Sequence, residues 1–480
     1  MCLNKKDGHK EDIVLISNMR LKLIFSTVVL VFLCGELAFA QQDGNNLSVD
    51  RSTTAGSSRY TSKLTAVSPS ELGIDPLALE SGINAIMMQA LDSGAFPGGQ
   101  ILLAKGGKVF FEKAYGYQSY DSLLAVIPSD IYDLASVTKT TAATLALMKL
   151  YEEGKFDPEQ TLGYYFPDIA KGKKKKMVMR EVLAHQAQLR AWIPYYKESQ
   201  KKNGKYKRNT ISSDSSEAFP YKISETGLYM HKDYKEKKIY RMIRKSKILK
   251  EKEYVYSGLS FYLYPALIER ISGKPFDEFL ADEFYEPLGA TTVTFNAGNK
   301  FSLERIVPTE VDSFFRMQTL HGVVHDEGAA MMKGVSGNAG LFSNAEDLAK
   351  VWQMLLNGGT YDGKQYLKQA TIEEFTKCQY CGEDNRRGMG FDKPLIEYDE
   401  AKSSVAKEAS PESFGHTGYT GTLVWADPKN DLLFIFLSNR VHPTRANSKI
   451  YQLNVRPSIH NLVYELLKQE NGAKISVGKD

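Results

Sequence analysis

Residues 133–141 read DLASVTKTT and place Ser136 and Lys139 at the start of a helical run. Val137, Thr141, Thr144, Leu145, Met148 and Tyr151 keep a helical rhythm that Gly154 ends. Thr138, Thr140 and Thr141 are poor helix formers in isolation, so this helix needs its surroundings and is expected to be central. A serine followed three residues later by a lysine also occurs at Ser199–Lys202, Ser404–Lys407 and Ser476–Lys479, in charge-rich stretches or close to the C-terminus. By spacing alone, then, Ser136 or Asp133 is an ordinary N-cap and Lys139 a surface residue.

The chain outside that stretch sets the frame. Its 480 residues carry an ordinary globular balance of apolar and charged residues, and a net charge of +4 implies no broad polyanion-binding surface, so nucleic acid is not an expected partner. The basic run Lys171 and Lys173 to Lys176 reads as a solvated edge rather than a phosphate or membrane patch. Arg20 and Lys22, the apolar run Leu23–Leu33 and Ala38-Phe39-Ala40 have the three parts of a signal peptide over 1–40. The run is shorter than the roughly 20 residues a membrane span requires, so no integral span is expected after cleavage. Residues 41–70, rich in Ser, Thr, Gly and Asn, read as a flexible tether. The mature chain keeps Cys378 and Cys381; a zinc site lacks further ligands, and a local disulfide suits an oxidising periplasmic or extracellular compartment.

A single domain over 71–470 is expected to follow. Asp75-Pro76 opens a helix, GGQILLAKGGKVFFEKAYGY forms a hairpin about Gly106-Gly107, and GTLVWADPKNDLLFIFLSNR forms another near the end. Strands at both ends pair into one antiparallel sheet only if the helical middle is an excursion from it. Residues 197–253 read as an insertion of loops and short helices, placed to line or cover a cleft.

A serine hydroxyl is a weak nucleophile until a neighbour takes its proton. Lys139, three residues on, lies over the same helix face as Ser136. A free lysine titrates near ~10.4 and serves as a base only where burial or positive charge depresses that value. A helix N-terminus also points its amides at a developing oxyanion.

Three segments in order carry a family resemblance: Ser136-Val137-Thr138-Lys139, Tyr256-Ser257-Gly258 and His416-Thr417-Gly418. The chain resembles the penicillin-recognising serine hydrolases, which include class C-type β-lactamases, D-Ala-D-Ala peptidases and esterases. It is similar in particular to the β-lactamase-like domain found behind some family 3 glycoside hydrolases. The resemblance runs from about residue 72 to about residue 466 and implies an α/β (α+β) fold of the β-lactamase/transpeptidase type. It implies Ser136 as the acylated nucleophile, Lys139 as its proton acceptor and Tyr256 as a partner in acid–base work. His416 and Thr417 would line the strand beside the substrate, and the amides of Ser136 and Tyr419, after Gly418, would form the oxyanion hole. Two departures stand out. Gly258 occupies a position where the family usually has Asn or Asp, and His416 replaces the commoner lysine, which makes a fixed positive charge one that depends on pH.

The expected function is an exported serine hydrolase acting on an ester, amide or β-lactam, with a small-molecule or peptidoglycan-derived substrate and no cofactor. The alternative is a non-catalytic cell-wall or glycan binding module on the same fold. His321 and His325 have the spacing of a zinc pair, but no glutamate follows the first and Gly322 and two valines disfavour a helix, so no metal is expected.

Overall fold

A computed structural model describes residues 63–477, so the expected leader and most of the expected tether lie outside the described residues. Six strands form the main sheet: β1 (Thr65–Ala66), β2 (Gly98–Lys105), β3 (Lys108–Gly116), β4 (Phe414–Thr417), β5 (Leu423–Asp427) and β6 (Leu432–Ser438). Their order is β1-β3-β2-β6-β5-β4. All neighbours are antiparallel except β1, which joins β3 in parallel, so the sheet is mixed and its first strand falls within the stretch expected to be a tether. β2 from the N-terminal part pairs with β6 from the C-terminal part, as in Phe434 opposite Leu103. Residues 117–413, between β3 and β4, are the helical excursion that such pairing demands.

The central strands β2, β6 and β5 are buried on both faces, with alternate side chains entering two different cores, while β1 and much of β3 are exposed or half-buried. Leu102, Ala104, Val424, Leu433 and Ile435 face the large core of the helical middle. Ile101, Leu103, Trp425, Phe434 and Phe436 face a smaller core closed by α1 (Pro76–Asp92) and α4 (Val455–Val477). That is why β2 and β6 read as continuous apolar runs instead of alternating ones. α1 starts where Asp75 accepts hydrogen bonds from the amides of Leu77 and Ala78 and Pro76 supplies the first helical φ. The β2–β3 turn places Gly106 and Gly107 at φ 57° and 77°, the left-handed region a two-residue hairpin requires.

On the other face, α2 (Leu145–Glu152) continues from a wide π-type turn over Lys139–Thr144 and a tight turn over Ala135–Val137. Residues 137–148 are buried throughout, beside α3 (Ala345–Leu356), so threonines that would weaken a free helix sit in a packed interior. Residues 197–253 differ from expectation. They hold a small antiparallel sheet of Ile211–Ser212, Tyr221–Lys222 and Tyr229–Met230 beside helical turns over 235–245. Among the described residues, no helix is long and apolar enough to cross a membrane.

Phe434 is fully buried between Leu103 and Trp425 in the register, and its ring centre lies 4.9 Å from that of His460. Phe434→Ala is therefore expected to cost about 3–5 kcal/mol. Urea unfolding checks this through a lowered midpoint at an unchanged slope.

Candidate active site

The structure brings Ser136, Lys139 and Tyr256 onto one cavity of about 410 Å³, which Gly258, Asn338 and Tyr419 also line. Lys139 is buried, and its Nζ donates to Ser136 Oγ at 2.8 Å and to the backbone carbonyl of Asn338 at 2.8 Å. The same nitrogen lies 5.4 Å from the Tyr256 ring centre and 5.5 Å from that of Phe261. Ser136 is half-buried, so its hydroxyl is reachable from the cavity while its partner is not exposed.

The turn carrying Ser136 is held from several sides. Ala135 has φ 46°, a conformation that costs a non-glycine residue about 1–3 kcal/mol and persists only when surroundings enforce it. Buried Asp133 does so: its carboxylate accepts from the amide of Ala135 at 2.8 Å and from that of His325 at 2.6 Å. Thr420 Oγ1 donates to the Asp133 carbonyl at 2.8 Å and Thr422 Oγ1 to the Leu134 carbonyl at 3.0 Å, which ties the turn after β4 to the serine turn. A Cβ on Gly418 would stand 2.0 Å from Thr422 Oγ1 and 2.5 Å from the Leu134 carbonyl. Only glycine allows that approach, which sets Tyr419 beside Ser136.

The Tyr256 loop is clamped as closely. His185 Nδ1 accepts from the Ser257 amide at 3.2 Å, Ser257 Oγ donates to the Arg190 carbonyl at 2.7 Å, and the Gly258 amide donates to the Ala191 carbonyl at 3.2 Å. The His185 ring lies 4.7 Å from that of Tyr256. Behind the phenol, the buried Arg387 guanidinium lies 5.1 Å from the Tyr256 ring centre and pairs with Asp392 at 3.3 Å. Tyr254, two residues before Tyr256, accepts from Arg387 Nε at 3.1 Å and does not line the cavity. A Cβ at Gly258 would meet nothing within 4 Å, so the absent asparagine leaves open space. Besides Ser136, Lys139 bonds the Asn338 main chain.

His416 behaves differently from the titratable charge expected of it. It is buried 6.0 Å from the Tyr256 ring and outside the cavity lining, and its Nδ1 donates to the Thr417 carbonyl at 2.7 Å. Desolvation, reinforced by the charges of Arg387 and Lys139 and opposed by Asp392, lowers its pKa to about 3. The imidazole is neutral at ordinary pH. Thr417 is half-buried at the end of β4.

At the far wall of the cavity, Arg445 pairs with Glu310 at 2.5 Å and with Glu327 at 2.7 Å, and His325 Nε2 meets Glu310 at 2.9 Å. His321 turns instead to the carbonyls of Leu303 and Ile306, so the two histidines of the HGVVH stretch point at different partners. Sequence spacing gives no signal for Asn338, Arg445 or Glu310, which arrive from separate segments. No residue of 197–253 lines this cavity; the loop 190–193 just before the insertion does, through Ala191 and Trp192. Cys378 and Cys381 are joined by a disulfide with a Cα–Cα distance of 5.8 Å.

Residues 83–455 match the family model described as Beta-lactamase. A Salmonella agona protein named "Putative D-alanyl-D-alanine carboxypeptidase" is 32% identical over 413 residues, spanning 81% of this chain and 88% of that protein. A Salmonella typhimurium protein of the same name matches to the same extent. Among solved structures, EstCE1, "a hydrolase with promiscuous acyltransferase activity", has a TM-score of 0.56 at 19% identity over 80% of this chain and 98% of its own. A penicillin-binding protein homologue from Caulobacter crescentus has a TM-score of 0.56 at 17% identity over 81% of this chain and 99% of its own. At such identities these two structures establish the fold alone.

Stability should fall in acid through the neutral histidines. His416 and His460 are each held at about 3, against about 6.5 for a free histidine, so below pH ~6.5 the unfolded chain binds protons that the folded chain does not. Each then removes up to about 1.4 kcal/mol per pH unit between roughly pH 6.5 and 3. Urea midpoints from pH 7 to pH 4 check the fall, and His416→Gln is expected to flatten it.

Proposed function

The chain belongs to the beta-lactamase family of serine hydrolases, and from that premise we propose that it is an exported hydrolase that passes through an acyl-Ser136 intermediate. The observation that carries the reading is the 2.8 Å contact between Ser136 Oγ and the buried Lys139 Nζ at the edge of a cavity. In the proposed cycle Lys139 takes the Ser136 proton as Oγ attacks the acyl carbon. The amides of Ser136 and Tyr419 receive the oxyanion, and the Tyr256 phenol relays a proton to the leaving group and later from the attacking water. Arg387 and His185 fix the Tyr256 loop. Export is supported by the three-part leader of the sequence and by the envelope role that the name of the Salmonella relatives implies.

For the substrate we propose an ester or amide whose recognition does not rely on a carboxylate. His416 is neutral and outside the cavity, and the cavity's three basic side chains are already engaged, Lys139 by Ser136 and Asn338, Arg445 by Glu310 and Glu327, and His325 by Glu310. A β-lactam or a D-Ala-D-Ala terminus, each bearing a carboxylate, would find no free cation among the cavity-lining residues. The carboxypeptidase reading remains the second one, favoured by the name of the 32% identical relatives.

A panel of a p-nitrophenyl ester, a D-alanyl-D-alanine peptide and a chromogenic cephalosporin tests both levels. The ester is expected to have the highest kcat/KM; faster release of D-alanine would replace this substrate assignment with the carboxypeptidase one. Lys139→Ala is expected to lower kcat/KM on the best substrate by about 100- to 10,000-fold. Activity retained in that variant would remove Lys139 from the proposed cycle.

A further inference from the structure

The run at 171–176, read alone, is a solvated edge, but in the fold it meets a second basic segment. Lys174 is buried, and its Nζ donates to the carbonyl of Ile243 at 2.8 Å, that of Arg244 at 3.1 Å and Ser246 Oγ at 2.9 Å. One lysine thereby closes the C-terminal end of the helix over 235–245, and desolvation lowers its pKa to about 8. Its neighbours Lys171, Lys173, Lys175 and Lys176, together with Arg241, Arg244, Lys245, Lys247 and Lys250 from the second segment, are all exposed. Neither 171–180 nor 241–250 contains an acidic residue, and none of these nine side chains makes an ion pair among the described residues. A chain of small net charge thus gathers unpaired cations where the two segments meet, Lys171 and Lys173 of the first lining one concavity with Arg244 of the second.

Two concavities of about 330 and 370 Å³ lie on this face and share Ser246. Lys171, Lys173 and Arg244 line one; Arg190, Arg241 and Lys245 line the other. The single carboxylate in either lining, Glu198, has its own partner in Lys207 at 3.9 Å. Exposed aromatics flank the basic residues. Tyr164 is 67% exposed on the turn next to Lys175, and Trp192 is 50% exposed on the loop 190–193. That loop joins the basic face to the Ser136 cavity: Arg190 and Ile193 line the basic concavity, Ala191 and Trp192 the catalytic one.

We propose that this face docks on an anionic phospholipid bilayer and holds the mouth of the Ser136 cavity at the headgroup layer. Exposed Tyr and Trp beside unpaired Lys and Arg are the chemistry of a membrane–water interface, where aromatic rings sit among headgroups and each cation adds attraction to anionic lipid. A soluble phosphate or polyanion would use the cations and leave the exposed Tyr164 beside them without a role. The inference goes beyond the hydrolase reading and does not rest on it.

Co-sedimentation of the full chain with phosphatidylcholine vesicles, with and without phosphatidylglycerol, tests it. Binding is expected only with phosphatidylglycerol and is expected to weaken as salt rises. Trp352 and Trp425 are buried, so a blue shift of tryptophan emission on binding reports Trp192. Lys171→Glu/Lys173→Glu/Arg241→Glu/Lys245→Glu is expected to lower the partition coefficient by at least about a hundredfold, since each cation is worth about fivefold. Lys108→Glu/Lys429→Glu, on exposed positions of the main-sheet hairpins, should bind as the wild type does. Thermal unfolding checks that the variants are folded, and the corresponding glutamine variants replace any that are not. Equal binding to neutral vesicles, binding unchanged by the charge reversals, or capture by polyphosphate without vesicle binding would each overturn the proposal.

Discussion

The nitrogen of Lys139 is a polar group taken out of water inside a helix that is buried all round, and it has to be satisfied there. No carboxylate pairs with it among the described residues. Its hydrogen bonds go to Ser136 Oγ and the Asn338 carbonyl, and two aromatic faces occupy part of the remaining space. That set of partners requires three distant segments to converge. The serine turn must place Oγ three residues back, the 338 strand approach must turn a carbonyl inward, and the Tyr256 loop must stand over both.

Much of the surrounding architecture enforces that convergence. The strand Leu341–Ser343 pairs with Tyr132–Asp133, and the Leu341 amide takes Thr138 Oγ1 as acceptor at 3.1 Å, so the Asn338 segment and the serine turn share one hydrogen-bond frame. The turn after β4 contributes through Thr420 and Thr422, whose hydroxyls donate to the carbonyls of Asp133 and Leu134, and through Gly418, whose missing side chain allows the close approach. The main sheet therefore does more than close the cores. Because β4 lies at its edge, the chain leaving β4 is free to turn over Ser136. The strained φ of Ala135 belongs to the same frame, since the Asp133 carboxylate holds both its amide and that of His325.

The hairpins about Gly106-Gly107 and Asp427–Asn430, the Asp75-Pro76 helix start and the sheet built from both chain ends were legible in sequence, because each rests on local turn chemistry or on strand patterning. The three segments holding Ser136, Tyr256 and His416 were legible through family resemblance, where spacing alone left four equal candidates. What lay beyond the sequence depends on contacts between remote segments. The bond from Lys139 to the Asn338 carbonyl is a main-chain contact with no residue signature. The neutrality of His416 follows from burial beside Arg387, not from the residue type. The expectation that 197–253 would cover the cleft missed because the loop 190–193 reaches it first, leaving the insertion to build a basic face elsewhere.

The central claim is that Ser136 becomes covalently acylated. Intact-mass measurement after treatment with a fluorophosphonate, followed by peptide mapping, tests it most directly. The account predicts one adduct per chain, mapped to the peptide containing Ser136 and absent from Ser136→Ala. An unmodified wild-type chain, or an adduct that persists in Ser136→Ala, would contradict it.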